Sequence, residues 1–174
     1  MQPNENGNLP NDIQENTLEI VKFLQKHNMK IDWIDVNQQT PLFFASVNGN
    51  TKVCTYLLQH GVKVDHPDTY GQTALFYAAR DNRLESVDFL LKNNADPNKK
   101  DAARETALFY AVKHGHLDMA KLLVGRGSEV LVKNKKGAMV FHFAKQAKAN
   151  QKELLKFLET FKPERQTRST TASV

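Results

Sequence analysis

The sequence is poor in the features that most quickly assign a chain to a chemical class. Its longest apolar runs are a few residues, such as Leu90-Leu91 and Leu122-Leu123-Val124, far short of the ~20 that a membrane-spanning helix needs. The opening MQPNENGNLP has neither a basic start nor an apolar stretch, so it does not read as a secretory signal, and a cytoplasmic or nuclear address is expected. One cysteine, Cys54, cannot make an internal disulfide, in keeping with a reducing compartment. Cys54 also lies on an apolar stripe, and no Cys/His pair has zinc-type spacing, which argues against a metal centre. Nucleophile elbows, phosphate loops and zinc-protease helix motifs are missing. Isolated carboxylates such as Glu85 and Asp88 suit a solvated helix face better than an acid–base pair. No enzyme activity and no cofactor are therefore expected.

What the chain does have is uneven charge and internal repetition. Residues 1–98 hold 8 Lys/Arg against 12 Asp/Glu, whereas residues 99–174 hold 16 against 7. Such a split can steer an acidic partner. Lys133, Lys135, Lys136 and Lys145 offer charge for phosphates, but they are interleaved with packing residues and no nucleic-acid reading motif accompanies them. A solvated surface is the favoured reading, and nucleic acid is not expected as the partner.

Thr40-Pro41-Leu42-Phe43-Phe44-Ala45 recurs as Thr73-Ala74-Leu75-Phe76-Tyr77-Ala78 and as Thr106-Ala107-Leu108-Phe109-Tyr110-Ala111, each copy 33 positions after the last. A worn copy follows at Met139-Val140-Phe141-His142-Phe143-Ala144. Paired leucines at Leu57-Leu58 and Leu90-Leu91, and the segment Leu122 to Val124, keep the same step, as do the turns Gly61 to Asp68, Asn94 to Asp101 and Gly127 to Asn134. Each unit reads as helix, turn, helix and an irregular turn. Thr40, Thr73 and Thr106 are placed to cap first helices through their hydroxyls, and Pro41 suits a first helical turn. Gly49 and Gly115 separate the two helices, while Gly61, Gly127 and Asn94 stand where a left-handed residue ends the second. The second helices carry apolar stripes: Val53, Cys54, Leu57 and Leu58; Val87, Leu90 and Leu91; Met119, Ala120, Leu122 and Leu123. One such pair cannot bury both faces alone, so neighbouring units must stack.

This period, with its Thr-Pro-Leu-x-x-Ala start, glycine turn, Leu-Leu helix and Gly/Ala-Asp-x-Asn/Asp turn, resembles the ankyrin repeat family over about residues 17–160. Ala95-Asp96-Pro97-Asn98, Gly115-His116-Leu117-Asp118 and Asp68-Thr69-Tyr70-Gly71-Gln72-Thr73 are especially close. The resemblance implies an all-α solenoid of stacked helix-turn-helix units joined by hairpin-like turns. The family's usual histidine is replaced by Phe43, Phe76 and Phe109 and kept at His142, so ring packing is expected to substitute for histidine hydrogen bonds. Gln38 and Arg104 stand where Gly71 and Gly137 supply the hairpin glycine, and backbone strain is expected there.

The expected organisation is a polar tail over 1–10, an N-terminal half-repeat cap over 11–35, and repeats over 36–68, 69–101 and 102–134. A degenerate capping repeat follows over 135–162, then a second polar tail over 163–174. An insertion between Ala147 and Lys152 displaces the last helix by two residues from the period. Both tails are expected to be disordered.

The resemblance also implies a protein-binding role as adaptor, scaffold or inhibitor, with contacts on hairpin tips and the exposed side of first helices. The matching residues are Val36, Asn37, Gln39, Val47 and Asn48; Thr69, Tyr70, Gln72, Arg80 and Asp81; Ala102, Ala103, Glu105, Lys113 and His114; and Lys135, Lys136 and Gln146. Tyr70 and Arg80 are the favoured anchors, and an acidic partner segment is expected near Lys113, Lys135 and Lys136. Phe76 and Phe109 are expected in the core. Asn98 matches the asparagine that hydroxylases modify in this family. A monomer is expected. The alternative is a targeting or regulatory segment of a larger enzyme or nucleic-acid-associated regulator, which the size of the native chain would distinguish.

Overall fold

The computed structural model describes residues 31–147 and 149–161. Its helices are α1 (Pro41–Val47), α2 (Thr51–Gln59), α3 (Ala74–Arg80) and α4 (Leu84–Lys92). They continue with α5 (Ala107–Lys113), α6 (Leu117–Gly125), α7 (Val140–Ala144) and α8 (Gln151–Glu159). Helices this short are marginal in isolation, so packing must hold them. The odd-numbered helices pack side by side in one layer, and the even-numbered ones form a second layer behind them. Among the described residues there is no strand, and no helix is long and apolar enough to cross a membrane.

Repetition of the sequence becomes repetition of burial. The pairs Val53/Leu57, Met119/Leu123 and Leu154/Leu158 are completely buried on α2, α6 and α8, and Ser86/Leu90 fill the same places on α4. From Met119 to Leu154 the step is two residues longer than 33, the displacement expected for the last helix. Asn150, with φ 52°, turns the chain into α8.

Phe43, Phe76 and Phe109 are buried. Each meets an aromatic ring of the next unit edge-on: Phe43 with Tyr77 at 5.4 Å, Phe76 with Tyr110 at 5.7 Å and Phe109 with Phe143 at 5.7 Å. Ring packing thus replaces histidine hydrogen bonding, and the two phenylalanines expected in the core are there. Cys54 is fully buried beside the Ser46 hydroxyl, with burial pushing its thiol pKa up.

One local expectation fails. Thr40, Thr73 and Thr106 occupy the N-cap positions, but none caps through its side chain, and all three hydroxyls are buried without a hydrogen-bond partner among the described residues. The N–H groups of Phe43, Phe76 and Phe109, which a capping hydroxyl would engage, bond at 3.0 Å to the carbonyls of these same threonines. Side-chain capping does occur at α2, where Asn50 accepts from the Val53 N–H at 3.2 Å.

Candidate protein-binding face

The hairpin tips are built around one side chain each. Asp35 Oδ1 accepts from the N–H groups of Asn37 and Gln39, Asp68 from Tyr70 and Gln72, Asp101 from Ala103 and Glu105, and Asn134 from Lys136 and Ala138, all at 2.7–3.0 Å. A carboxylate or amide oxygen shared by two backbone donors closes the turn locally. Successive tips are then joined by one backbone bond per step: Thr69 N–H to Asn37 O, Ala102 N–H to Tyr70 O and Lys135 N–H to Ala103 O, at 2.8–2.9 Å. Left-handed φ is required at the fourth hairpin residue. Gly71 and Gly137 supply it at 76° and 73°, while Gln38 and Arg104 are held there at 64° and 59°. Strain was expected at these two residues, and the positive φ locates it there.

A polar ladder lies beneath the tips. Gln39 donates to the Tyr77 hydroxyl at 2.8 Å, and Tyr77 donates to Asp68 Oδ2 at 2.8 Å. One unit on, Gln72 donates to Tyr110 at 2.6 Å, and Tyr110 donates to Asp101 at 2.8 Å. Burial first, and then the hydrogen bond to the neighbouring aspartate and its charge, raise both phenol pKa values above the ordinary tyrosine range.

The third step changes all three residues at once. Phe143 lacks a hydroxyl, and Glu105 stands in for glutamine and Asn134 for aspartate. Glu105 accepts from Asn134 at 2.8 Å and from the Lys113 ammonium at 2.5 Å. Lys113 also lies over the rings of Phe143, at 4.6 Å, and Tyr110, at 5.1 Å.

These contacts sort the residues expected to meet a partner. Val36, Asn37, Asn48, Thr69, Tyr70, Ala102, Ala103, His114, Lys135, Lys136 and Gln146 are exposed. Val47, Arg80 and Asp81 are half-buried, and Arg80 pairs with Asp81 at 2.8 Å while lying 4.7 Å from the Tyr77 ring centroid. That pairing raises the Arg80 pKa and lowers that of Asp81. Gln39 and Gln72 belong to the ladder rather than to open surface. Glu105 was expected on the partner-facing row, but it is buried and turned inward because Asn134 and Lys113 both claim its carboxylate. Lys113, expected to meet an acidic partner, has its charge held by Glu105 instead.

Asn98 is half-buried on a different loop. Its amide donates to Gly127 O at 3.0 Å and accepts from the Glu129 N–H at 2.8 Å, so it ties its loop to the next one. Asp65, 33 positions earlier, accepts from Asp96 N–H at 3.1 Å but has no donor with which to reach a carbonyl.

No group of three or more His, Cys, Asp or Glu side chains with metal-binding placement occurs among the described residues. A family model for ankyrin repeats matches residues 12–101 and 72–134, with three copies. The chain belongs to the ankyrin repeat family. Ankyrin repeats are in general protein–protein interaction modules and are typically non-enzymatic. No curated protein matches this chain at the level of sequence.

Ladder members Tyr77 and Tyr110, and the turn-centring Asp35, Asp68, Asp101 and Asn134, were not singled out from the sequence. For the four turn-centring residues the signal is the 33-residue recurrence of Asp or Asn three positions before the left-handed hairpin residue.

Proposed function

We propose that this ankyrin array is an adaptor, scaffold or inhibitor that grips a partner protein along its hairpin tips and the adjoining ends of the first helices. The observation supporting this reading is the state of Tyr70. Its side chain is 61% exposed, on a tip fixed from below by Asp68 and from the side by the bond between Tyr70 O and Ala102 N–H. A large, exposed aromatic on a preformed backbone offers contact area with little ordering cost. Val36, 71% exposed, stands on the preceding tip. Arg80 presents its guanidinium from the first-helix layer, already oriented by Asp81 and Tyr77. With Lys113 neutralised internally, an acidic part of the partner would be met by Lys135 and Lys136.

The test is a pull-down with the double variant Tyr70→Ala, Arg80→Ala. Partners recovered by the unaltered protein are expected to be lost while the far-ultraviolet spectrum is unchanged. Equal recovery by the variant would place the binding face elsewhere.

A further inference from the structure

Outside the row of tips, an open groove of about 570 Å³ lies between the third hairpin and the loop leading to the fourth. Lys100, Arg104 and Lys133 rim it, and among the described residues none of the three makes an ion pair. Its apolar lining comes from Val130, Leu131 and Val132. Leu131 occupies the position 33 residues after Asn98, where the preceding units place a polar side chain that accepts from the next loop's backbone. A leucine can make no such bond, and it is left 48% exposed. Three cations that make no ion pair, set against the single carboxylate of Glu129, thus surround an exposed apolar side chain whose flanking valines are buried, and the groove combines a net positive rim with one apolar contact.

We propose that this groove is a second docking site, for an acidic segment of a partner protein that carries an apolar side chain, with Leu131 as the apolar contact and Lys100, Arg104 and Lys133 meeting carboxylates. The chain's own C-terminal residues have the wrong sign for it, since 162–174 hold Lys162, Arg165 and Arg168 against Glu164. A nucleic-acid backbone fits poorly too, because it offers no apolar group to Leu131. The inference rests on the reading of the array as a protein-binding module, and it extends that reading to a site the row of tips does not include.

The probe is a fluorescein-labelled peptide of Glu-Glu-Leu repeats, titrated with the full chain and read by anisotropy. A peptide of Lys-Lys-Leu repeats and an oligothymidine are run alongside. Saturable binding of the acidic peptide is expected, weakened about ten-fold by Leu131→Asp and by the pair Lys100→Glu, Lys133→Glu. Leu131→Ala is expected to weaken it less. Tyr70→Ala with Arg80→Ala should leave it unchanged, which separates this site from the row of tips. No binding, or binding indifferent to the groove variants, would overturn the proposal while leaving the pull-down test of the tips intact. Tighter capture of oligothymidine, lost in the same variants, would overturn it in favour of nucleic acid. Self-association in sedimentation that Leu131→Asp abolishes would overturn it in favour of a second copy of the chain.

Discussion

The Tyr110 hydroxyl stands between two units: it donates to Asp101 of its own hairpin at 2.8 Å and accepts from Gln72 of the preceding one at 2.6 Å. The same triad forms around Tyr77, so two successive interfaces are held by one arrangement. In the first unit Phe44 replaces the tyrosine, and the buried Asp35 Oδ2 has no hydrogen-bond partner among the described residues. Tyr77→Phe is expected to leave Asp68 Oδ2 in that condition and to cost about 1–3 kcal/mol. Phe44→Tyr should do the reverse, supplying Asp35 with a donor and adding about 1 kcal/mol. Urea unfolding of the two single variants checks both directions, and a change of the same sign in both would refute the ladder.

The same phenols carry a pH dependence. Burial and the adjacent aspartates raise the folded pKa of Tyr77 and Tyr110, so the fold prefers the neutral phenol. Their contribution is complete below the unfolded tyrosine value near ~10 and is lost as pH rises from there towards the folded value. The melting temperature is therefore expected to fall above about pH 10, and to fall less steeply in the double variant Tyr77→Phe, Tyr110→Phe. Parallel alkaline profiles would show that other groups control the loss.

Much of this architecture was legible beforehand because packing recurs with the sequence. The burial of Phe76 and Phe109, the left-handed Gln38 and Arg104, and the two-residue displacement of Leu154 and Leu158 all follow from a period of 33 and the place of each residue within it. The candidate face was harder to read. Gln39 and Tyr77 lie 38 positions apart and meet through stacking, and Glu105 turns inward because Phe143, Asn134 and Lys113 depart from the earlier units together. No local pattern around Glu105 signals that coupling. Thr40, Thr73 and Thr106 show the opposite failure: the local pattern was correct as to position, but a backbone carbonyl took the donor on which the capping argument relied.

Asp65 and Asn98 occupy equivalent places and differ by one donor. Burial is the main cause raising the Asp65 pKa, and the charge of Asp96 adds to it, against the hydrogen bond from Asp96 N–H and the charge of Lys99. The fold disfavours the carboxylate relative to the unfolded chain, so the stability carried here is present below the ordinary carboxyl value near ~4 and is lost as pH rises through the folded value. Asp65→Asn restores a donor toward the carbonyl of Asn94, which corresponds to the Gly127 carbonyl that Asn98 engages. A gain of about 0.5–1.5 kcal/mol is expected at neutral pH, shrinking as the pH falls towards 4. Thermal melts of both proteins across that range check the sign, and a difference independent of pH would rule out the carboxylate as its source.

Gln38 tests the strain at the first hairpin. At φ 64° its Cβ is crowded, at a cost of roughly 1–2 kcal/mol, whereas replacement by glycine adds about 0.5–1 kcal/mol of unfolded-state entropy to be overcome. Gln38→Gly is thus expected to raise stability by about 0.5 kcal/mol. The residue is exposed, and among the described residues its longer-range hydrogen bond is made by its backbone carbonyl, with His66, which the substitution keeps. Equilibrium denaturation checks this, and a loss would indicate a role for the Gln38 side chain.

Gly115 governs how the last helix is held. It sits at φ 79° between α5 and α6, and the chain entering α8 passes so close that a Cβ there would lie 2.5 Å from Ala149 O. Asn150 then donates to Gly115 O at 2.8 Å, fastening the inserted residues to this turn. A methyl group at Gly115 must push that segment away, and backbone cannot yield as a flexible side chain does, so Gly115→Ala is expected to cost about 1–3 kcal/mol. Because stacked units interact with their neighbours alone, the loss should concentrate at the C-terminal end. Hydrogen exchange at the Leu154 and Leu158 amides is expected to accelerate well before that at Leu57 and Leu90. Uniform acceleration along the stack would instead mean that the strain is carried by α5 and α6, and that the contact with Ala149 gives way at little cost.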